Sequence, residues 1–358
     1  MDCRTRIKKI LNFEFPDRVG IWDAYWPETL QRWRNEGLPD DIDPREYFEH
    51  DIYHYRIDIT PEFPEKLIEK NDEWLIRENR YGVIEKVWKN KEGVPFQIEQ
   101  KIKDRHTWER NKNRFSVEKS VEYHKKELEE NYILARKNKK FFLFTFLEPF
   151  ENTHRFFGME KLLLAMKEEP EFVKEMFEFQ CVLIIKLITF LLEKDYIFDG
   201  VFVGGDLAYR GGLLFSPRMY KDVLFPTHKE IFSFCHSKGL PVIYHGDGDM
   251  RKLVPDLIEA GVNGIQPLES KAGFDVREMK KLYGKKLVLI GNMDIRKMTG
   301  CKEEIETEIS KKVTIAKQNS GYIYFSDHSI PPTVPLENYK FVLECVKKYG
   351  QYEHSIKD

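Results

Sequence analysis

The sequence predicts an α/β fold and, within that class, a (β/α)8 TIM barrel with an N-terminal β-hairpin and helical insertion. Three observations carry this. Short β-branched or aromatic runs recur at 141–146, 200–203, 241–244, 261–265, 287–290 and 322–325, with a further strand at 19–22. Amphipathic helical patterns, such as 250–260, separate most of them, and strands that alternate with helices build a parallel sheet. Seven or eight such strands in a chain of 358 residues suit a barrel better than an open doubly wound sheet. No GxGxxG follows an early strand, which also counts against the open sheet.

In chain order, Met1 to Arg6 lead into the polar Ile7-Lys8-Lys9 with no apolar leader core, so no secretory signal is expected and the cytoplasm is the expected compartment. From about 27 to 140 the chain is charged and irregular. That stretch is read as an insertion on one barrel domain spanning 1–358, covering the pocket or forming a homodimer contact. Within it, 72–77 and 83–88 flank Asn79-Arg80-Tyr81-Gly82, the pattern of a hairpin. The stretch through Val94-Pro95-Phe96 is read as a further strand, and Tyr53-His54-Tyr55 as core or rim packing.

The greasy stretch at 181–192 is interrupted by Lys186. It falls short of the roughly 20 residues a membrane span needs and reads as a buried helix. Ser216-Pro217 is a helix start, with Ser as cap and Pro in the first turn. Five scattered cysteines with no CxxC pair point away from a disulfide framework and from a Cys-rich zinc site. Lys+Arg 58 against Asp+Glu 60 leaves a net charge of −2, so neither nucleic acid nor an acidic membrane is an expected partner. The lysines at 137–140 and 285–286 read as solvated helix end and turn, and His106, His124, His154 and His354 as surface residues.

Chemistry in such barrels sits at the carboxyl ends of the strands. Here those ends run into Glu148-Pro149, Gly204-Gly205-Asp206, His245-Gly246-Asp247-Gly248-Asp249, Gln266-Pro267-Leu268-Glu269, Gly291-Asn292-Met293-Asp294 and Ser326-Asp327-His328. If the barrel forms, they converge on one basin. His245-x-Asp247 with the later His328 supplies two imidazoles and a carboxylate, a set able to hold a divalent metal with positions left open for substrate. The plainer reading is that both histidines only shape the pocket by hydrogen bonding. An HxD…H pattern also occurs in the facial triad of non-haem iron oxygenases, but that triad sits on antiparallel jelly rolls and this chain reads as βα units. Asp206 either caps its glycine-rich loop or orients and protonates a substrate. Glu148 and Glu269, each beside a proline, read as supporting groups or a fourth ligand, and Asp249 as a turn residue.

Taken together, these residues resemble the uroporphyrinogen decarboxylase superfamily, whose members share the (β/α)8 barrel. The resemblance runs from Pro16-Asp17-Arg18-Val19 to Pro335-Leu336-Glu337-Asn338. It is carried by Gly205-Asp206, Ser216-Pro217-x-x-Tyr220, His245-Gly246-Asp247-Gly248, Pro267-Leu268-Glu269 with Ala272-Gly273-x-Asp275, Gly291-Asn292-x-Asp294 and His328-x-Ile330-Pro331-Pro332. The corrinoid-linked methyltransferase branch is the better match. Its thiol-methylating members hold zinc through a His-x-Cys and a later Cys, positions that fall here on His245, Asp247 and His328. With the thiolates gone, an oxygen-borne methyl group suits the site better than a thiol acceptor such as coenzyme M.

The resemblance thus implies a metal-dependent methyltransferase, a participant in one-carbon metabolism. It would move methyl between a small methylated, methoxy-type donor and a corrinoid (cobalamin) carried by a partner protein, with zinc on His245, Asp247 and His328. Asp206, Glu148 and Asn292 would be catalytic, and Tyr244, Gln266, Glu269 and Asp23 would bind substrate. Two alternatives stand beside it. A metal-free porphyrinogen decarboxylase is less well matched, because Trp22-Asp23-Ala24-Tyr25-Trp26 carries none of the arginines that family's decarboxylases use there. Arg18 and Arg210 are the cations nearest to that role. The other alternative is a barrel that binds a ligand or corrinoid without catalysis.

Overall fold

The computed structural model describes residues 1–89 and 95–352. Eight strands form one curled sheet: β1 (Gly20–Ile21), β2 (Ile52–Arg56), β3 (Phe141–Leu147), β4 (Gly200–Gly204), β5 (Val242–His245), β6 (Gly264–Gln266), β7 (Val288–Ile290) and β8 (Tyr322–Tyr324). Their order is β1-β8-β7-β6-β5-β4-β3-β2, and every pairing is parallel. Helices follow the strands, so both faces of the sheet are covered. That is why β3 reads as an unbroken apolar run, buried along its whole length.

The two-residue period of the strands sorts their side chains. Phe141 and Leu143 join Ile243, Val288, Ile290 and Ile323 inside the barrel, and Phe142, Phe144 and Phe146 pack outward against the helices. The helix Cys3–Leu11 lends Ile7 and Ile10 to the interior cluster. At the seam, Asp51 N donates to Ile21 O and Ile21 N donates to Asp51 Oδ2, both at 2.7 Å. The same fully buried carboxylate accepts from Arg6 Nη1 at 2.6 Å and Arg18 Nη1 at 2.8 Å.

The hairpin expected near 72–88 is present as Trp74–Glu78 and Val83–Trp88, and it belongs to a four-stranded antiparallel sheet with Lys66–Lys70 and Phe96–Gln100. Val94, expected at the start of the last of these strands, lies outside the described residues, as does His354. The bounds 27–140 for an insertion need correction. They enclose β2, which pairs with β3 from Ile52↔Phe141 to Arg56↔Thr145, and the helix Val117–Lys137. Ile-Tyr-His-Tyr-Arg does not look like a barrel strand by composition, because its third and fifth residues open onto the mouth. The stretch at 181–192 lies in the helix Pro170–Glu193, which is buried along one face only, with Val182 exposed, and among the described residues no helix is long and apolar enough to cross a membrane.

Candidate functional site

The carboxyl ends of the strands surround three adjoining cavities. A central one of about 580 Å³ lies between His54, His124, Asp206 and His245. An outer one of about 600 Å³ shares Asp58, Glu151, Arg155 and Asp206 with it and is walled by Arg77, Glu85 and Gln97 of the antiparallel sheet. An inner one of about 300 Å³ is lined by Trp22, Trp26, Phe202 and Phe325, with Asp247, Gln266 and His328 on its polar side. Its floor is a set of rings packed edge to face: Trp22 lies 4.9 Å from Phe202 and 5.2 Å from Phe325, centroid to centroid.

Asp206, His245 and Asp247 bring one ligand atom each to within 4.8 Å of one another. Adjacent parallel strands make this meeting possible, since His245 on β5 stands beside Gly204 on β4 and Gln266 on β6. Gln266 Oε1 bonds His245 Nδ1 at 2.5 Å. Because an amide oxygen only accepts, that bond puts the proton on Nδ1 and leaves Nε2 with its lone pair, 3.7 Å from Asp206 Oδ1. Asp206 Oδ1 accepts from Asp247 N at 2.9 Å, which ties the two loops together. Asp247 Oδ1 is buried with no hydrogen-bond partner among the described residues. An ionised oxygen left so is costly unless something positive meets it. Two carboxylates, one of them bearing that orphaned oxygen, and an oriented imidazole fit a divalent cation with hard or borderline character.

The electrostatics follow from this crowding. Burial raises the Asp206 pKa, and Asp247 and Glu151 add to the effect against the opposing pull of His245. Burial alone would lower that of His245, but Asp206 and Asp247 outweigh it and the net shift is upward. Glu151, although buried, is held down to about 2 by His154 and Arg155.

Tight backbone approach requires the glycines. A Cβ on Gly205 would strike the Tyr244 hydroxyl and Glu148 Cγ, and one on Gly246 would come within 2.7 Å of Gly205 O. Gly204-Gly205-Asp206 and His245-Gly246-Asp247 can lie against each other only without side chains at these two positions.

Other expected site residues are placed differently. His328 Nε2 is 3.6 Å from Asp247 Oδ2 but lies outside the group of three. Its ring stacks near Trp26 at the wall of the inner cavity. A substrate-facing Glu148 is corrected. It is fully buried and caps the helix Pro149–Phe157, accepting from Phe150 N and Glu151 N, and its remaining reach goes to His228 Nε2 at 3.1 Å.

Asn292 is corrected likewise. With φ +76 and no exposure, it accepts from Val276 N and donates to Leu268 O and Phe274 O, bracing two loops. Tyr244 is buried behind the sheet and donates to Gly205 O, and Glu269 accepts from Gly248 N. Asp23 is held by Tyr324 and Tyr339 hydroxyls and by Ser326 beneath the inner cavity. None of these five lines the three cavities: backbone groups engage Glu148, Asn292, Tyr244 and Glu269, and side-chain hydroxyls engage Asp23. Gln266 alone of the expected substrate-binding group does.

The sequence reading also missed residues. His124 and His154, read as surface, line the outer cavity. His54 opens onto both the inner and central ones, and desolvation by the walls lowers its pKa to about 4. His228 is wholly buried between Glu148 and Tyr220. A strand recognised at 52–56 would have pointed to His54; nothing local marks His228.

A family model described as Uroporphyrinogen decarboxylase (URO-D) matches residues 95–349. The uroporphyrinogen decarboxylase of Trichlorobacter lovleyi is 27% identical over 150 residues, covering 39% of this chain and 40% of that protein. That of Syntrophotalea carbinolica is 28% identical over 143 residues, with the same coverage. The chain therefore matches about 40% of the length of these curated relatives. Among solved structures, a methyltransferase from Methanosarcina mazei aligns over 98% of this chain and 99% of its own with a TM-score of 0.66. At 13% identity that likeness concerns the fold.

Proposed function

This chain belongs to the uroporphyrinogen decarboxylase family, and from that premise we propose that it is an enzyme moving a methyl group between a small methylated donor and a corrinoid held by a partner protein. One observation carries the reading: Asp206, His245 and Asp247 converge beside an apolar cavity at the barrel mouth. Asp206, His245 and Asp247 would hold a divalent metal such as zinc. Bound there, the ion would supply Lewis-acid polarisation of an oxygen that carries the methyl group.

The chain's own residues do the rest. Gln266 holds the His245 ring in one orientation and one tautomer. The Trp22, Phe202 and Phe325 floor excludes water and seats the apolar, methyl-bearing end of the donor. The solved methyltransferase with the same fold is in keeping with this reading.

A tetrapyrrole with many carboxylates suits the cleft less well. Arg18, the cation nearest the first strand, is spent on Asp51 at the seam, and Arg210 lines none of the three cavities. The deciding experiment measures metal content and methyl transfer from a methoxy compound to free cob(I)alamin, in wild type, Asp206→Asn, His245→Ala and His328→Ala. About one equivalent of metal is expected in wild type and His328→Ala, and little in the other two, with methyl transfer following the metal. Metal-free wild type that converts uroporphyrinogen would replace this reading with decarboxylation.

A further inference from the structure

The three cavities show a consistent bias in charge and hydrogen bonding. Among the described residues their walls carry seven carboxylates, four arginines and no lysine. Each arginine is already committed: Arg56 to Asp58 at 2.9 Å, Arg77 to Glu85 at 2.8 Å, Arg80 to Glu62 at 2.6 Å and Arg155 to Glu151 at 2.8 Å. Among the described residues, Glu65, Glu127, Asp206 and Asp247 have no lysine or arginine at ion-pair distance. A divalent ion at Asp206 and Asp247 would neutralise those two and leave Glu65 and Glu127 uncompensated.

The hydrogen-bond inventory points the same way. Glu127 Oε2 accepts from the Tyr55 hydroxyl at 2.8 Å, so the Tyr55 oxygen takes its second bond as acceptor from His124 Nδ1 at 3.1 Å. His124 is thereby fixed with its Nε2 as an acceptor, and that nitrogen is buried with no partner among the described residues. The wall thus carries more carboxylates than guanidinium groups, with His124 Nε2 an open acceptor and Arg155 Nε an open donor among the described residues. A carboxylate would enter against this excess of negative charge, whereas a cation would relieve it.

Building on the methyl-transfer reading, we propose that the cleft selects a donor bearing a protonated amine. Its apolar methoxy-bearing end rests on the Trp22, Phe202 and Phe325 floor, and its ammonium group faces Glu127 in the central cavity. The aromatic floor accepts a flat apolar group whatever the charge at the other end, so charge is the variable to test.

The test is calorimetric titration of the full chain, with zinc added, against three ligands on one scaffold: 4-methoxybenzylamine, 4-methoxybenzyl alcohol and 4-methoxybenzoate. The amine should bind tightest and the benzoate weakest, with about tenfold or more between them, narrowing as salt is raised. Glu127→Gln should weaken the amine about fivefold and leave the alcohol unchanged. Benzoate binding as tightly as the amine, or no binding by any of the three at millimolar concentration, would overturn the proposal. An amine affinity untouched by Glu127→Gln would overturn the seat assigned to the ammonium. If the affinity order holds and the bound amine yields no methylcobalamin, the charge selection stands and the methyl-transfer reading fails.

Discussion

Asp23 shows how far one side chain's surroundings can move its chemistry. It is buried, three hydroxyls donate to it, and no lysine or arginine pairs with it among the described residues. Burial pushes its pKa up to about 7, even though Ser326 and Tyr324 stabilise the charged form. Its folded-state value lies above that of the unfolded chain, so the folded state binds more protons between about pH 4 and pH 7. Stability therefore falls as pH rises through that window. Asp23→Asn should flatten the dependence of Tm on pH between 5 and 8, and a slope equal to wild type would refute the assignment. Nothing in Trp22-Asp23-Ala24 as a string announces this. The donors come from residues about 300 positions away.

At the scale of elements, the helix Pro149–Phe157 illustrates a signal that was present and read for the wrong purpose. A proline after a polar residue at a strand end marks the first turn of a helix, with the polar residue as its cap. Glu148 fills that role and fastens His228, which in turn meets the Tyr220 hydroxyl at 3.0 Å. Setting the helix start also sets Glu151, one turn in, whose Oε2 lies 3.4 Å from Asp206 N. Glu148→Ala removes a cap and leaves a buried imidazole unpartnered, so unfolding in urea should show a loss of about 3 kcal/mol. A loss under about 1 kcal/mol would mean that solvent or a neighbour replaces the carboxylate.

For the whole molecule, the seam at Asp51 is the place where the first and second strands meet. Its carboxylate joins Arg6, Arg18 and the backbone of β1 inside the protein. Breaking such a buried group by removing one partner costs about 3–5 kcal/mol, since the charges left behind stay buried. Asp51→Asn should lower Tm and speed hydrogen exchange first in Gly20–Ile21 and the helix Cys3–Leu11. Exchange that rises evenly around the sheet would show that the seam is no weaker than the other pairings.

The parallel α/β architecture was legible because its signals are local. Strands β3 to β8 are short apolar runs that need burial on both sides, and the helices between them repeat with their own period. Their polar ends were legible too, and parallel strands oblige such ends to gather on one side. The roles within that gathering were not legible. Asp206, His245 and Asp247 come together through the lateral register of β4, β5 and β6, while Glu148, Asn292 and Glu269 turn back to satisfy backbone groups. Register and loop closure couple residues far apart in the chain, and no stretch of sequence carries that information by itself. For the same reason β2 stayed hidden until its pairing with β3 was seen, and with it His54 at the mouth of the barrel.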